Sequence, residues 1–364
     1  MRLSEPTTVP FRAGGERDVA VLMSGGVDSS VAALRLRDDG WNVVGVTMLI
    51  PSGKDGDARR PCCGTEAAYV CSHLGIPHYF LDVRDEFRRL VVEPFREWYS
   101  TGRTPSPCVD CNTDLKFGLV WDVVRESLGV RRLATGHYAQ VVCEDGRAYL
   151  VRAEDRTRDQ SYFLYGVRRE MLPYLTLPLG NITKTEVRAA ARNVGLPVAR
   201  RSDSMELCFA DSSDYREALG DQSSRPGSVL DEHGAVIGTH TGVANYTIGQ
   251  RKGLGIAGGR PLFVCAIDPV GNTITVAGRD RLYKKEVSAC GTNALIPELV
   301  RPGEKLLGKV RSANNELSPC EIAEVDAEHV SVVFEEPVFA PAPGQRLVLY
   351  DCRDRVVAGG VIRH

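Results

Sequence analysis

The chain has 364 residues, 43% of them hydrophobic and 25% charged, with a formal net charge of −2; that composition excludes a disordered or fibrous chain and leaves room for about two or three cores. No apolar run approaches the roughly 18 residues of a membrane span, and the N-terminal stretch lacks the apolar region of a signal peptide, so a cytoplasmic protein is expected. A near-neutral chain gives no global pull toward nucleic acid, so any such surface must be local and built from arginines.

From residue 18 to about 211, short apolar runs alternate with helical patterns, as in βαβ units around a parallel sheet. The first strand is expected over 19–23 and its helix over 27–38. SGGVDSS (24–30) joins them. Gly25 and Gly26 let the backbone approach an anion, and the N–H groups opening the helix face it with favourable polarity. Ser24, Ser29 and Ser30 add hydroxyls, and Asp28 can orient a hydroxyl or share a magnesium ion with phosphate oxygens. No Lys follows the glycines, so this is not the loop that transfers a γ-phosphate; SGGxDS instead resembles the loop of enzymes that split ATP between its α and β phosphates.

Further strands are expected over 42–50, 78–83 and 132–135, with helices over 65–74 and 113–128, the latter carrying apolar Leu115, Leu119, Val120, Val123 and Val124. A nucleotide should sit at the carboxyl ends of these strands. Beyond 211 the segment 220–227 is linker-like and helical period fades. Strands over 273–276, 305–310, 320–325, 329–334 and 346–350 alternate like those of a barrel. The expected division is a flexible 1–17, an α/β catalytic domain over 18–212, a small β-rich domain over 213–275 and a C-terminal antiparallel β-barrel over 276–364.

Eleven cysteines in a cytosolic chain argue against structural disulfides and for metal ligands, nucleophiles or redox partners. Cys108 and Cys111 stand in RTPSPCVDCN, a proline-stiffened loop expected to end where a helix begins, where the dipole favours a thiolate. No second CxxC exists to complete a structural zinc site. Cys208, in a strand-like run, is not singled out by its surroundings. Cys143, Cys265, Cys290, Cys320 and Cys352 stand singly in strand-like stretches and are expected as small core residues. Cys62 and Cys63 precede a helix, but neighbours cannot easily both face one site, and they are left out of it.

Taken in order, SGGVDSS, RTPSPCVDCN with the following LKFG, ATGHYA (134–139), RDQSYFLYG (158–166), LPLGNITKTEVR (177–188), LCFADSSDYR (207–216), YTIGQRKGLGI (246–256) and PGQ (343–345) resemble the tRNA-specific 2-thiouridylases over nearly the whole chain. The resemblance implies a PP-loop, adenine-nucleotide-hydrolase-like fold. It also implies thiolation of the wobble uridine of tRNAs for Lys, Glu and Gln, in which ATP adenylates the uridine C2 oxygen and sulfur then expels AMP. A carbonyl oxygen leaves poorly until it is made a phosphate ester, so the use of ATP is chemically reasonable.

Carried over by position, the ATP site falls on Leu22, Met23, Ser24, Gly25, Gly26, Val27, Asp28 and Ser29, on Met48 and on Gly136, with Mg2+ accompanying the nucleotide. The nucleophile aligns with Cys111 and the persulfide carrier with Cys208, and a disulfide between them is implied after sulfur transfer. Ser106, Pro107 and Cys108 align with the segment contacting the target base. Contacts to tRNA are implied at His137, at Arg158, Asp159 and Gln160, at Arg311 and Ser312, and at Gln345. A sulfur-donor protein, a cysteine desulfurase or relay protein, is the implied second partner of a monomer that needs no membrane.

Two positions depart from the best-known members, which have Asp at 108 and tend to have Tyr at 312. With Cys108 present, thiolates of Cys108, Cys111 and Cys208 could hold a 4Fe-4S cluster, and the persulfide and cluster routes both remain open. Rival readings are an ATP-pyrophosphatase ligase adenylating a small metabolite, which needs no CVDC loop, and an RNA-binding protein that has lost the chemistry. Basic clusters at Arg84, Arg88 and Arg89, at Arg152, Arg156 and Arg158, at Arg200 and Arg201, and at Arg251 and Lys252 are candidate phosphate contacts.

Overall fold

Asp18–Leu22, here β2, is buried at all five positions. A run with no polar face suits only a central strand covered on both sides. It lies in a six-stranded sheet with β1 (Arg2–Leu3), β3 (Asn42–Leu49), β4 (His78–Asp82), β5 (Arg132–Ala134) and β8 (Leu175–Thr176), in the order β1-β4-β3-β2-β5-β8. All neighbours are parallel except β1, which runs antiparallel to β4. The computed structural model describes residues 1–51, 64–200, 207–210, 215–216, 218–219, 225–256, 261–312 and 316–363.

The helix α1 (Val27–Asp38) packs Val31, Ala32, Ala33, Leu34 and Leu36 onto this sheet, in one core with Ala67, Val70 and Leu74 of α2 (Gly64–Leu74) and with Val187 and Ala191 of the helix Lys184–Asn193. The helix expected over 113–128 begins instead at Pro107 and runs as Pro107–Asp110, a π-helical Cys111–Val120 and Trp121–Leu128. Proline's missing N–H costs nothing in a first helical turn, so the prolines that read as loop also start the helix. A hairpin of β6 (Ala139–Glu144) and β7 (Arg147–Arg152) follows β5.

The chain divides into two compact units, Met1–Leu90 with Cys108–Asp211 and Asp354–Val356, and Val91–Pro107 with Ser212–Arg353 and Val357–His364. In the second, β9 (Gly227–Leu230), β10 (Val236–His240), β11 (Phe263–Asp268) and β12 (Thr273–Ala277) form a sheet in the order β10-β9-β12-β11 around Val229, Tyr246, Val264, Ile274 and Val276. The expected strand over 273–276 thus belongs to this sheet, not to the barrel. The closed antiparallel barrel follows, β13-β16-β15-β14-β17-β18, with β13 Tyr283–Ala294, β14 Lys305–Lys309, β15 Ser318–Val325, β16 His329–Phe339, β17 Arg346–Tyr350 and β18 Val356–Ile362.

Of the five cysteines expected in cores, only Cys320 is buried; Cys143 and Cys352 are exposed and Cys265 and Cys290 half-buried. Cys143 lies at the turn end of the β6–β7 hairpin, which covers no core there. Among the described residues no helix is long and apolar enough to cross a membrane.

His78 is fully buried, with Nδ1 on the Thr7 hydroxyl at 2.9 Å and Nε2 on the Thr47 hydroxyl at 2.8 Å. Burial pushes its pKa down to about 4, so the folded state holds it neutral. As pH falls below about 6.5 the unfolded chain takes up this proton first, so the contribution is complete above that pH and is lost between about 6.5 and 4. From this group alone, denaturant unfolding should lose about 3 kcal/mol over that window, and His78→Gln should flatten the acid slope while lowering stability at pH 7.

Candidate active site

Past the end of β2, the N–H of Met23 still donates to Val46 O at 2.8 Å, and the chain then turns through Gly25 at φ +71°, a left-handed conformation that glycine adopts without strain. Ser24 and Ser29 close the loop, their hydroxyls 3.1 Å apart and the Ser24 N–H donating to Ser29 Oγ at 3.1 Å. The Ser30 hydroxyl donates to Gly26 O at 2.8 Å. Gly26 caps α1 with no side-chain hydrogen bond, so the first N–H groups of the helix keep their capacity for an anion. Gly136, beyond β5, comes so near that a Cβ there would sit 2.6 Å from Ser29 N, which is why only glycine fits in ATGHYA.

Asp28, in the first turn of α1, accepts from Lys184 Nζ at 2.7 Å on each oxygen and from the Tyr138 hydroxyl at 2.8 Å on Oδ1. A Thr183–Glu186 capping box starts the helix Lys184–Asn193 and sets Lys184 at its first position. A cation there opposes the helix dipole. Its placement is therefore decided by Asp28 and by the Tyr138 ring, 5.8 Å away. Sequence reasoning passed over both Lys184 and Tyr138; each lies inside a quoted motif, but nothing local marks it as facing Asp28.

A cavity of about 300 Å³ at the carboxyl end of the parallel strands is lined by Leu22, Met23, Ser24, Asp28, Ser29, Met48 and Gly136, and also by Cys111, Cys208, Lys116, His137 and Gln160. The positions aligned with an ATP site therefore share one space with two thiols, both free. Lys116 is the residue the sequence reading missed here. In an α-helix, five residues advance a side chain about 140° beyond a full turn, so Cys111 and Lys116 would point apart. The i→i+5 bonding of Cys111–Val120 brings them to the same wall. Lys116 Nζ donates to Asn112 Oδ1 at 2.9 Å, and Asn112 Nδ2 to Phe163 O at 3.0 Å, which fixes the ammonium beside the sulfurs.

The thiols are not activated as a position before a helix would suggest. Burial raises the pKa of Cys111 and Cys108, opposed by the Lys116 ammonium, and burial pushes Cys208 up to about 12. Cys108 and Cys208 keep accessible surface, but the protein packed around their sulfurs displaces enough water for desolvation to win over the nearby cation. Cys108 does not line the cavity. Among the described residues no three His, Cys, Asp or Glu side chains converge on a single metal ion; Cys108, Cys111 and Cys208 nonetheless lie near enough that the first two raise the pKa of the third. Cys62 and Cys63 lie outside the described residues.

His137 lines the cavity with Nδ1 on the Thr135 hydroxyl at 2.8 Å; burial first, and Lys116 second, push its pKa down to about 3, so it stands neutral. The Gln160 side-chain carbonyl holds the Tyr138 N–H at 2.9 Å. Asp159 is buried and spends both oxygens within the chain, on Arg152 Nε, the Ser161 hydroxyl and the N–H groups of Ala153 and Ser161. Arg158 is exposed. Arg152 and Arg156 both pair with Asp354, and Arg84 and Arg88 with Asp82 and Asp85, so these clusters are partly neutralised; Arg201 lies outside the described residues.

In the second unit, Ser106 and Pro107 are buried and Gln345 reaches the carbonyls of Thr104 and Pro105. Arg311 donates to Ala340 O at 2.8 Å and Ile248 O at 2.6 Å, with half-buried Ser312 beside it.

Three family models match the chain in succession, a tRNA methyl transferase HUP domain over 17–212, a tRNA methyl transferase PRC-barrel domain over 219–278 and an aminomethyltransferase β-barrel domain over 292–362. The chain is 42% identical to a tRNA-specific 2-thiouridylase MnmA 1 of Syntrophus aciditrophicus, over 95% of its own length and 93% of the relative's. It is 44% identical to a tRNA-specific 2-thiouridylase MnmA of Sorangium cellulosum and 43% to one of a Bradyrhizobium strain, covering 95% of this chain in each case and 92% and 90% of theirs. Identity at that level, running through all three domains, means that the chain belongs to the family of tRNA-specific 2-thiouridylases.

Proposed function

We propose that this chain is an ATP-dependent tRNA-uridine 2-sulfurtransferase acting on the wobble uridine of tRNAs for Lys, Glu and Gln. One observation carries the reading: the phosphate-type loop and two free thiols, Cys111 and Cys208, line the same cavity. A ligase for a small metabolite would use the loop and leave the thiols without a task. ATP is held by the free N–H groups of α1 and the Ser24 and Ser29 hydroxyls, with Met48 and Gly136 bordering the nucleotide. The uridine C2 oxygen attacks the α-phosphate and pyrophosphate leaves; Mg2+, when bound with the nucleotide, would offset the phosphate charge. Asp28 is engaged by Lys184 and Tyr138 and acts with them to fix the loop; it is also the residue of this loop that would share a magnesium ion with the phosphates.

Sulfur arrives as a persulfide on Cys208 from a donor protein, a cysteine desulfurase or relay protein. The terminal sulfur attacks C2, the C2–O bond breaks and AMP departs with the electron pair. Cys111, as thiolate, then attacks Sγ of Cys208; the sulfur–sulfur bond to the nucleoside breaks, leaving the thiocarbonyl on the base and a Cys111–Cys208 disulfide. The sulfane sulfur gains two electrons and the two thiols lose them. Lys116 supplies the positive charge that favours each sulfur anion and the developing phosphate charge. The base must be unstacked to reach the cavity, with Ser106, Pro107 and Cys108 as the segment that meets it and Arg158, Arg311 and Ser312 as backbone contacts.

Cys111→Ser and Cys208→Ser should each lower thiolation of an unmodified tRNA transcript by about three orders of magnitude while tRNA-dependent pyrophosphate release continues; thiolation persisting in either would overturn the assignment. Cys108→Ala should remain active with iron-free protein and a persulfide donor. An iron content that disappears together with activity in Cys108→Ala would overturn the persulfide route.

Lys116→Met should move the midpoint of Cys111 alkylation to higher pH, because the ammonium lowers that thiol's pKa and its removal leaves desolvation unopposed. Peptide mapping by mass spectrometry isolates Cys111 from the other cysteines.

A further inference from the structure

Thr104, Pro105, Ser106 and Pro107 are all buried, and they lead directly into the helix that carries Cys108 and Cys111. Two prolines remove the N–H donors at 105 and 107, so this segment cannot brace itself by a backbone ladder, and the buried carbonyls of Thr104 and Pro105 need donors from elsewhere. Gln345 Nε2 supplies both, at 3.2 Å to Thr104 O and 3.3 Å to Pro105 O. The Thr104 N–H donates in turn to Pro343 O at 2.7 Å. Gly344 stands at φ +93°, and a Cβ there would lie 2.8 Å from Thr104 O. The turn is therefore shaped to take this segment against its backbone.

Gln345 is itself tied to the barrel. Its N–H donates to Ala342 O at 3.0 Å and its carbonyl accepts from the Ile362 N–H of β18 at 2.8 Å. The neighbouring Arg346, 2% exposed, places its guanidinium 5.3 Å from the Trp98 ring centre, on the helix Glu93–Ser100 that precedes the segment. The amide nitrogen of half-buried Gln345 is thus engaged with the carbonyls of a buried segment.

We propose that Gln345 is a positioning residue for sulfur transfer: it fixes the 104–107 segment on the barrel and so sets the start of the cysteine-bearing helix, rather than adding affinity for RNA. This rests on the reading of Cys111 as nucleophile. A nucleophile displaced by about an ångström loses on the order of 100-fold in rate. Gln345→Ala and Gln345→Glu both remove the donor, the second also placing negative charge against two carbonyls.

The test measures, for both variants of the full-length protein, thiolation kcat at saturating tRNA, tRNA Kd, and hydrogen exchange of the peptide containing Thr104. The expected result is a kcat at least tenfold lower, a Kd within twofold of wild type and faster exchange at Thr104. A Kd at least tenfold weaker with kcat unchanged would overturn the proposal and make Gln345 an RNA contact. Faster exchange with unchanged kcat would overturn it as well, since the segment would then be free to move without consequence. Activity retained in Cys111→Ser would instead remove the nucleophile reading, and it would leave the exchange result standing.

Discussion

The N-terminus of α1 has no side-chain cap, and the site is arranged around that fact. Unsatisfied N–H groups at a helix start carry roughly half a positive charge and are costly if buried without partners. Here they stand where β2 and β5 part to opposite sides of the strand order, which is where a doubly wound sheet leaves a crevice. Gly136 lets the chain beyond β5 come within contact of Ser29 N, and Asp28, Tyr138 and Lys184 lock the first turn in place. Crevice, missing cap and close glycine approach together suit an anionic ligand, and none of the three alone would.

Around the sulfurs, two effects of opposite sign meet. Desolvation disfavours a thiolate, and a nearby cation favours it. For Cys111 and Cys208 desolvation is the larger, so both rest as thiols. A resting thiol is a poor target for oxidants, which attack the thiolate. Lys116 limits the cost of forming the anion when a reaction requires it. Its position depends on the π-helical stretch, a geometry that is rare elsewhere and concentrated at functional sites.

Much of the first unit was readable from the sequence because its signals are local. A buried apolar pentad, SGG and an amphipathic segment each report on their own neighbourhood, and they place β2, the loop and α1 within a residue of where they lie. The cysteine helix was misplaced because proline serves both loops and first helical turns. Lys116 escaped notice because its side of the helix follows from a change of helical period, which residue types do not encode. Lys184 escaped because its partner lies far away in sequence and is joined to it only by the folded sheet. Four of the five lone strand-like cysteines, all but Cys320, were misjudged for the converse reason: alternation marks a strand, but whether that strand's face is covered depends on what packs there.

Asp159 shows how a residue inside a recognised motif can brace the motif from within the protein. Buried acceptors must be satisfied, and Asp159 gathers Arg152 and three further donors around the turn that presents Arg158 outward and Gln160 inward. An exposed arginine and a cavity-lining glutamine two residues apart require a turn held rigidly between them, and a buried carboxylate with an ion pair provides it. Arg152 keeps Asp354 as a second partner, so of the two charges it is Asp159 whose burial depends most on this pair and on the donors around it. The same logic applies to Gln345, whose amide is committed to carbonyls within the barrel unit. In both places a polar side chain that reads as a contact for RNA also hydrogen-bonds the backbone or side chains of its own surroundings.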